Sequence, residues 1–133
     1  MRQNDKIDIL KRVPLFSGLT KKQLRFLTRQ VTEMHLGSGT VLATEGEQGR
    51  EAMVIVSGSA EVRRKGRRIA DLGPGTVLGE MSLISERPRN ATVTAASDMV
   101  VLHMGSREFF DVLEAYPDVS LEILRTVAAR LKE

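Results

Sequence analysis

Nine of the eleven glycines fall between Gly37 and Gly79, and they divide that stretch into short runs rich in Val, Ile, Leu, Met and Thr. Runs of this length, separated this often by glycine, leave no room for long helices and are best read as short strands joined by tight turns. The pattern predicts strands over Val31–Leu36, Thr40–Glu45, Ala52–Val56, Ser59–Arg63, Arg67–Leu72, Thr76–Leu78, Ala91–Ala95 and Asp98–Met104, with Lys65-Gly66 as a hairpin tip. Sequential strands with such short connections pair antiparallel, so the middle of the chain should form an antiparallel β-roll or jelly roll of about eight strands.

The flanks follow the helical period. Thr20-Lys-Lys-Gln23 has capping-box spacing, and Leu19 and Leu24 stand where a hydrophobic staple places them. Leu24, Leu27 and Val31 share one face. After the roll, Ser106 can cap a helix carrying Phe109, Phe110, Val112 and Leu113, and Pro117 suits the first turn of a second. Leu124, Val127, Ala128 and Leu131 then form an apolar stripe. The expectation is a mainly β fold in one domain spanning 1–133: an N-terminal helical segment over 1–30, the β-roll over 31–104 and C-terminal helices over 105–133.

A chain of 133 residues supports one core but not two. The absence of cysteine excludes disulfides and thiolate chemistry. A net charge of +3 is too small to select nucleic acid or an anionic membrane as partner. The N-terminus lacks the apolar core of a signal peptide, and the longest apolar run, Ala52–Val56, is far short of the roughly 20 residues that span a bilayer. A cytoplasmic location with no membrane segment is expected.

The connection Gly79-Glu-Met-Ser-Leu-Ile-Ser-Glu-Arg-Pro-Arg-Asn-Ala-Thr-Val93 is too elaborate for a turn. Gly79 permits close backbone approach, and Glu80–Ile84 reads as a short helix whose first N–H groups can face an anion. Pro88 restricts the backbone on either side of itself, so Arg89 enters the next strand from a limited geometry that suits phosphate recognition. An ionised Glu80 only accepts hydrogen bonds and must face donors such as ribose hydroxyls. A sugar phosphate satisfies both groups; the plain alternative is a Glu80–Arg89 ion pair stapling the connection.

The spacing Gly79-Glu80-x-x-Leu83 followed by Pro88-Arg89-x-Ala91-Thr92-Val93 resembles the phosphate-binding cassette of cyclic nucleotide-binding domains, and the resemblance extends to Val13-Pro-Leu-Phe16, the glycine-punctuated roll and the closing helices. It implies Glu80 on the ribose 2′-hydroxyl, Arg89 on the cyclic phosphate, backbone N–H groups of Gly79, Met81, Ser82 and Asn90 along phosphate or sugar, and apolar walls from Val77, Leu78, Ala91 and Val93. Two positions depart from the family pattern: Leu78 stands where an aromatic residue is frequent, and Asn90 where Ala, Ser or Thr is usual. A hydroxyl at the latter position goes with cGMP in the family, so the resemblance favours cAMP over cGMP as regulatory ligand. It further implies a signalling module whose C-terminal helices move on binding, with Arg130, Leu131 or Lys132 near the base and the output carried by an effector protein or neighbouring domain. The alternative is a ligand-independent interaction module of the same fold, docking through Leu124, Val127 and Leu131.

Other features read more simply. Arg63-Arg-Lys-Gly-Arg-Arg68 is expected as a solvated hairpin tip, with nucleic acid as the competing reading, and relatives that bind DNA do so through an additional domain, so direct DNA binding by this chain is not expected. Glu86 and Arg87 are expected as solvated charges. His35 and His103 lack companions at ligand spacing, which argues against a metal, and Ser17, Ser82 and the remaining hydroxyls lack a nucleophile signature, so no enzyme is expected.

Overall fold

The computed structural model describes residues 1–85 and 87–131; the expectations for Glu86 as a solvated charge and Lys132 as a base cap lie outside the described residues. The chain divides into two compact units, a helical one built from Met1–Val31 together with the chain from Ser106 onward, and a β one spanning Thr32–Gly105.

The β unit holds eight antiparallel strands: β1 Thr32–Leu36, β2 Val41–Ala43, β3 Glu51–Ser57, β4 Ala60–Arg64, β5 Arg67–Leu72, β6 Val77–Leu78, β7 Thr92–Ala95 and β8 Met99–Gly105. They form two four-stranded sheets, ordered β1-β8-β3-β6 and β2-β7-β4-β5. This is the eight-stranded roll expected, with every strand within about two residues of its expected bounds, although β2 is only three residues long. Period-two burial explains the arrangement: Val93 and Ala95 of β7 and Ala60 and Val62 of β4 turn into a core completed by Met53, Ile55 and Val101, while the alternate residues face outward. At the β4–β5 tip Lys65 and Gly66 both have positive φ, 51° and 79°, as a two-residue turn matched to strand twist requires.

The helical unit contains α1 Gln3–Lys11, a 3₁₀ turn at Pro14–Phe16, α2 Lys21–Thr28, α3 Ser106–Ala115 and α4 Pro117–Arg130. The Thr20–Gln23 capping box forms in full, with Gln23 N–H donating to Thr20 Oγ1 at 3.1 Å and Thr20 N–H to Gln23 Oε1 at 2.9 Å. Gln23 uses its remaining amide group to donate to Asp118 Oδ2 at 2.8 Å, which ties α2 to the first turn of α4. Phe109, fully buried, lies 6.0 Å from Phe16, and Phe26 stacks on Tyr116 at 3.7 Å.

One helical expectation needs correction: Ser106 is the first residue of α3 rather than its cap. On α4 the buried residues are Val119 and Ile123, whereas Leu124 is 64% exposed and Leu131, just past the helix, 84%, so the apolar stripe read from the sequence lies on an outer face. Among the described residues no helix is long and apolar enough to cross a membrane.

Candidate functional site

Gly79 sits in the left-handed region (φ 70°, ψ 25°), a conformation that costs side chains roughly 1–2 kcal/mol, and from it the chain enters a 3₁₀ turn over Glu80–Leu83. Leu83, 1% exposed, pins the turn into the interior. Within the turn, Ser82 N–H donates to the Gly79 carbonyl at 2.9 Å.

The segment carrying Arg89 is held by a stretch that the sequence reading passed over. Arg89 N–H donates to the Glu47 carbonyl at 2.7 Å, Gly46 N–H to the Arg89 carbonyl at 2.8 Å and Gly49 N–H to the Arg87 carbonyl at 3.1 Å, with Gln48 bridging Pro88. Pro88 has no N–H to donate and sits outside the regular strands, where none is demanded. The Arg89 main chain is thus fixed on both its donor and its acceptor side.

The Arg89 side chain is fixed as well. Nη2 donates to the main-chain carbonyl of Glu51 at 2.9 Å and Nη1 to Ser82 Oγ at 3.3 Å. Two glycines make space for it. A Cβ on Gly49 would lie 2.6 Å from Ser82 Oγ and 2.7 Å from Arg89 Nε, and one on Gly79 would collide with Arg89 Nη1 and sit 2.7 Å from the Glu51 carbonyl oxygen. The guanidinium therefore occupies a slot between two backbones, held by a carbonyl and a hydroxyl, both neutral.

Beside it lies a cavity of about 320 Å³ within the β unit, lined by Leu42, Ala43, Met53, Val62, Ala70, Leu72, Leu78, Gly79, Arg89, Asn90, Ala91 and Val93. An aliphatic hollow of this size with one cation and one amide in its wall has the character of a small-molecule site.

Of the residues singled out from the sequence, Leu78, Gly79, Arg89, Asn90, Ala91 and Val93 meet on this cavity. Ser82 joins them through Arg89. Val77, Glu80 and Met81 are outside the lining: Val77 alternates with Leu78 along β6, Met81 is 43% exposed, and Glu80 begins the 3₁₀ turn with its Oε2 buried. The sequence reading missed Gly49 and the Glu51 carbonyl; the pair Gly46-x-x-Gly49 just before an apolar strand was the available signal. Arg87 is exposed, as expected of a solvated charge.

His35 pairs with Glu33 at 2.8 Å and His103 with Glu51 at 2.5 Å, and among the described residues no group of three His, Cys, Asp or Glu side chains is placed to hold a metal. In the basic hairpin Arg63 pairs with Glu61, and Arg68 with Asp71 and Glu61.

Comparison with known proteins matches residues 33–116 to the family described as the cyclic nucleotide-binding domain. The Pycsar effector protein XpPycTIR of Xanthomonas perforans is 37% identical over 101 residues, 75% of this chain and 33% of that protein, so the chain spans about a third of that curated relative. Among solved structures, the N-terminal domain of a transcriptional regulator from Streptomyces coelicolor A3(2) has TM-score 0.85 and 33% identity, covering 94% of this chain and 91% of that one. The regulatory domain of Toxoplasma gondii PKA, solved with cAMP, has TM-score 0.74 and 28% identity, covering 83% of this chain and 44% of that one.

Proposed function

The chain belongs to the cyclic nucleotide-binding domain family, and from that premise we propose that it is a non-catalytic cytoplasmic sensing module whose β unit binds a cyclic nucleotide, cAMP in preference to cGMP. One observation carries this reading: Arg89, a guanidinium aimed by neutral groups, stands in the wall of an aliphatic cavity. Arg89 meets the cyclic phosphate in two parallel N–H···O bonds, a geometry its planar fork is suited to. Glu80 accepts from the ribose 2′-hydroxyl, and Ser82, Gly79 and Met81 border the sugar phosphate. Leu78, Ala91 and Val93 supply apolar wall, with Asn90 beside the phosphate. Val77 supports the wall from β6.

The output follows from chain continuity. α3 begins at Ser106, directly after β8 ends at Gly105, so a change in the roll is passed along the chain to the C-terminal helices. Binding shifts those helices only insofar as the ligand has different affinity for their two arrangements. Arg130 and Leu131 are the described candidates for contact with the base, and the response itself belongs to an effector protein or a neighbouring domain.

The test is calorimetric titration of unfolded-and-refolded protein with cAMP and cGMP, beside Arg89→Ala. Loss of the guanidinium should cost roughly 2–5 kcal/mol, about 1.5 to 3.5 decades in Kd. Refolded wild-type protein that binds neither nucleotide would overturn the reading and favour the ligand-independent interaction module, for which the exposed Leu121 and Leu124 of α4, with Leu131 just past its end, are the supporting observation.

A further inference from the structure

The β4–β7 ladder ends at the pair Arg63 and Thr92, one residue short of Arg64. Past that point the main chain of Asn90 has left the sheet, and its carbonyl is held instead by a side chain: Arg64 Nε donates to Asn90 O at 3.0 Å. The next residue strengthens the join, since Lys65 N–H donates to Glu45 Oε1 at 2.9 Å, and Glu45 N–H donates to Thr92 Oγ1 at 3.0 Å. The hairpin tip is thereby fastened to both ends of the segment from Asn90 to Thr92. Its other arginines do not do this. Arg63 donates to Glu61 and to the Gly66 carbonyl, and Arg68 to Asp71, all inside the hairpin.

Resting on the cyclic-nucleotide reading of the cavity, we propose that Arg64 is a positioning residue of the ligand site, clamping the hairpin tip onto the Asn90 carbonyl and so fixing the Asn90–Ala91 peptide that lines the cavity. The reasoning is geometric. A trans peptide points its C=O and N–H in opposite directions, so a carbonyl drawn to Arg64 turns the Ala91 N–H away from the hairpin tip. Arg89 is fixed through its N–H by the Glu47 carbonyl and through its own carbonyl by Gly46 N–H. Ala91, 6% exposed, is fixed on the other side by the core. The peptide between them is the remaining freedom, and Arg64 removes it before ligand arrives, which lowers the ordering cost of binding.

The experiment is calorimetric titration of cAMP and cGMP into wild type, Arg64→Met, Arg64→Lys and Arg67→Met, together with the carbonyl ¹³C shift of Asn90 in each ligand-free protein. Arg67 is the control because it sits opposite Arg64 in the hairpin and carries the same charge. The expected result is affinity about 3–10-fold weaker in Arg64→Met, which has no donor for the carbonyl. Arg64→Lys, which can still donate to a carbonyl, should recover most of it, and the Asn90 carbonyl should shift in Arg64→Met but not in Arg67→Met. Equal weakening by Arg64→Met and Arg67→Met, removed by added salt, would reduce the effect to long-range charge and overturn the positioning role. So would an Arg64→Met protein that binds like wild type, and this outcome leaves the cyclic-nucleotide reading standing. Wild-type protein that binds neither nucleotide overturns both.

Discussion

Arg89 places Nη2 2.9 Å from the main-chain carbonyl oxygen of Glu51, so a neutral group aims this cation. A carbonyl orients a guanidinium without cancelling its charge, whereas a carboxylate in the same place would do both. Neither this carbonyl nor the Ser82 hydroxyl cancels the charge, and the direction of the guanidinium is set by β3, a strand in the middle of its sheet.

Because the fork matters as well as the charge, Arg89→Lys should not rescue binding. An ammonium lacks the paired donors that engage carbonyl, hydroxyl and phosphate together, so Arg89→Lys is expected to bind cyclic nucleotide at least about tenfold more weakly than wild type in the same calorimetric titration. Wild-type affinity in that variant would mean that charge alone suffices.

The two glycines around Arg89 should fail in different ways. Gly49→Ala intrudes on Ser82 Oγ and Arg89 Nε, both side-chain atoms, and is expected to displace the guanidinium and weaken binding with a small effect on Tm. Gly79→Ala meets the Glu51 carbonyl oxygen and also holds φ at 70°, so it should weaken binding and lower stability by about 1–2 kcal/mol from the backbone conformation alone. Thermal melts beside ligand titration separate the two.

Adjacent residues on α4 should differ sharply. Ile123, 4% exposed, is expected to cost about 2–5 kcal/mol when changed to Ala. Leu124, 64% exposed, should cost no more than about 0.5 kcal/mol. Chemical denaturation of Ile123→Ala and Leu124→Ala reads this directly. If Leu124→Ala also costs several kcal/mol, the outer face of α4 is covered in solution.

Gln23 must be an amide, because it accepts from Thr20 N–H and donates to Asp118 at once. Its donation to Asp118 is the main reason that carboxyl titrates below its ordinary range. A depressed carboxyl stabilises the fold above its ordinary pKa, and that contribution is lost as pH falls through the lowered value. Gln23→Glu replaces the donor with a second acceptor, so two carboxylates face each other at neutral pH. The variant should melt several degrees below wild type at pH 7, with the gap narrowing as pH drops through the carboxylate range and one of the pair takes up a proton. A gap that stays constant with pH would show that Asp118 is not the group concerned.

The strands were legible because their signal is local: glycine marks the ends, and alternation within each run marks the inner face. The meeting of Gly79 and Arg89 on one cavity was legible for the same reason, since both lie within one short stretch. What holds Arg89 was not. Its acceptor is a main-chain carbonyl 38 residues away, and a carbonyl belongs to every residue type, so Glu51 carries no mark of the role. The buried face of α4 was not read, because periodicity reveals that a helix has an apolar stripe but does not say which of two adjacent stripes meets its neighbours. Val119 and Ile123 share one, while Leu124 and Leu131 share the other.

β5 stands at the end of its sheet, next to β4, with Ile69 48% exposed. An apolar residue on such an edge is an invitation to polymerise, because the open row of amides and carbonyls templates a further strand from another molecule. Arg67, Arg68 and Asp71 answer it, since any strand added there would have to seat itself among charges. Much of the basic cluster can thus be understood as a guard against fibre growth, a task that needs no binding partner at all.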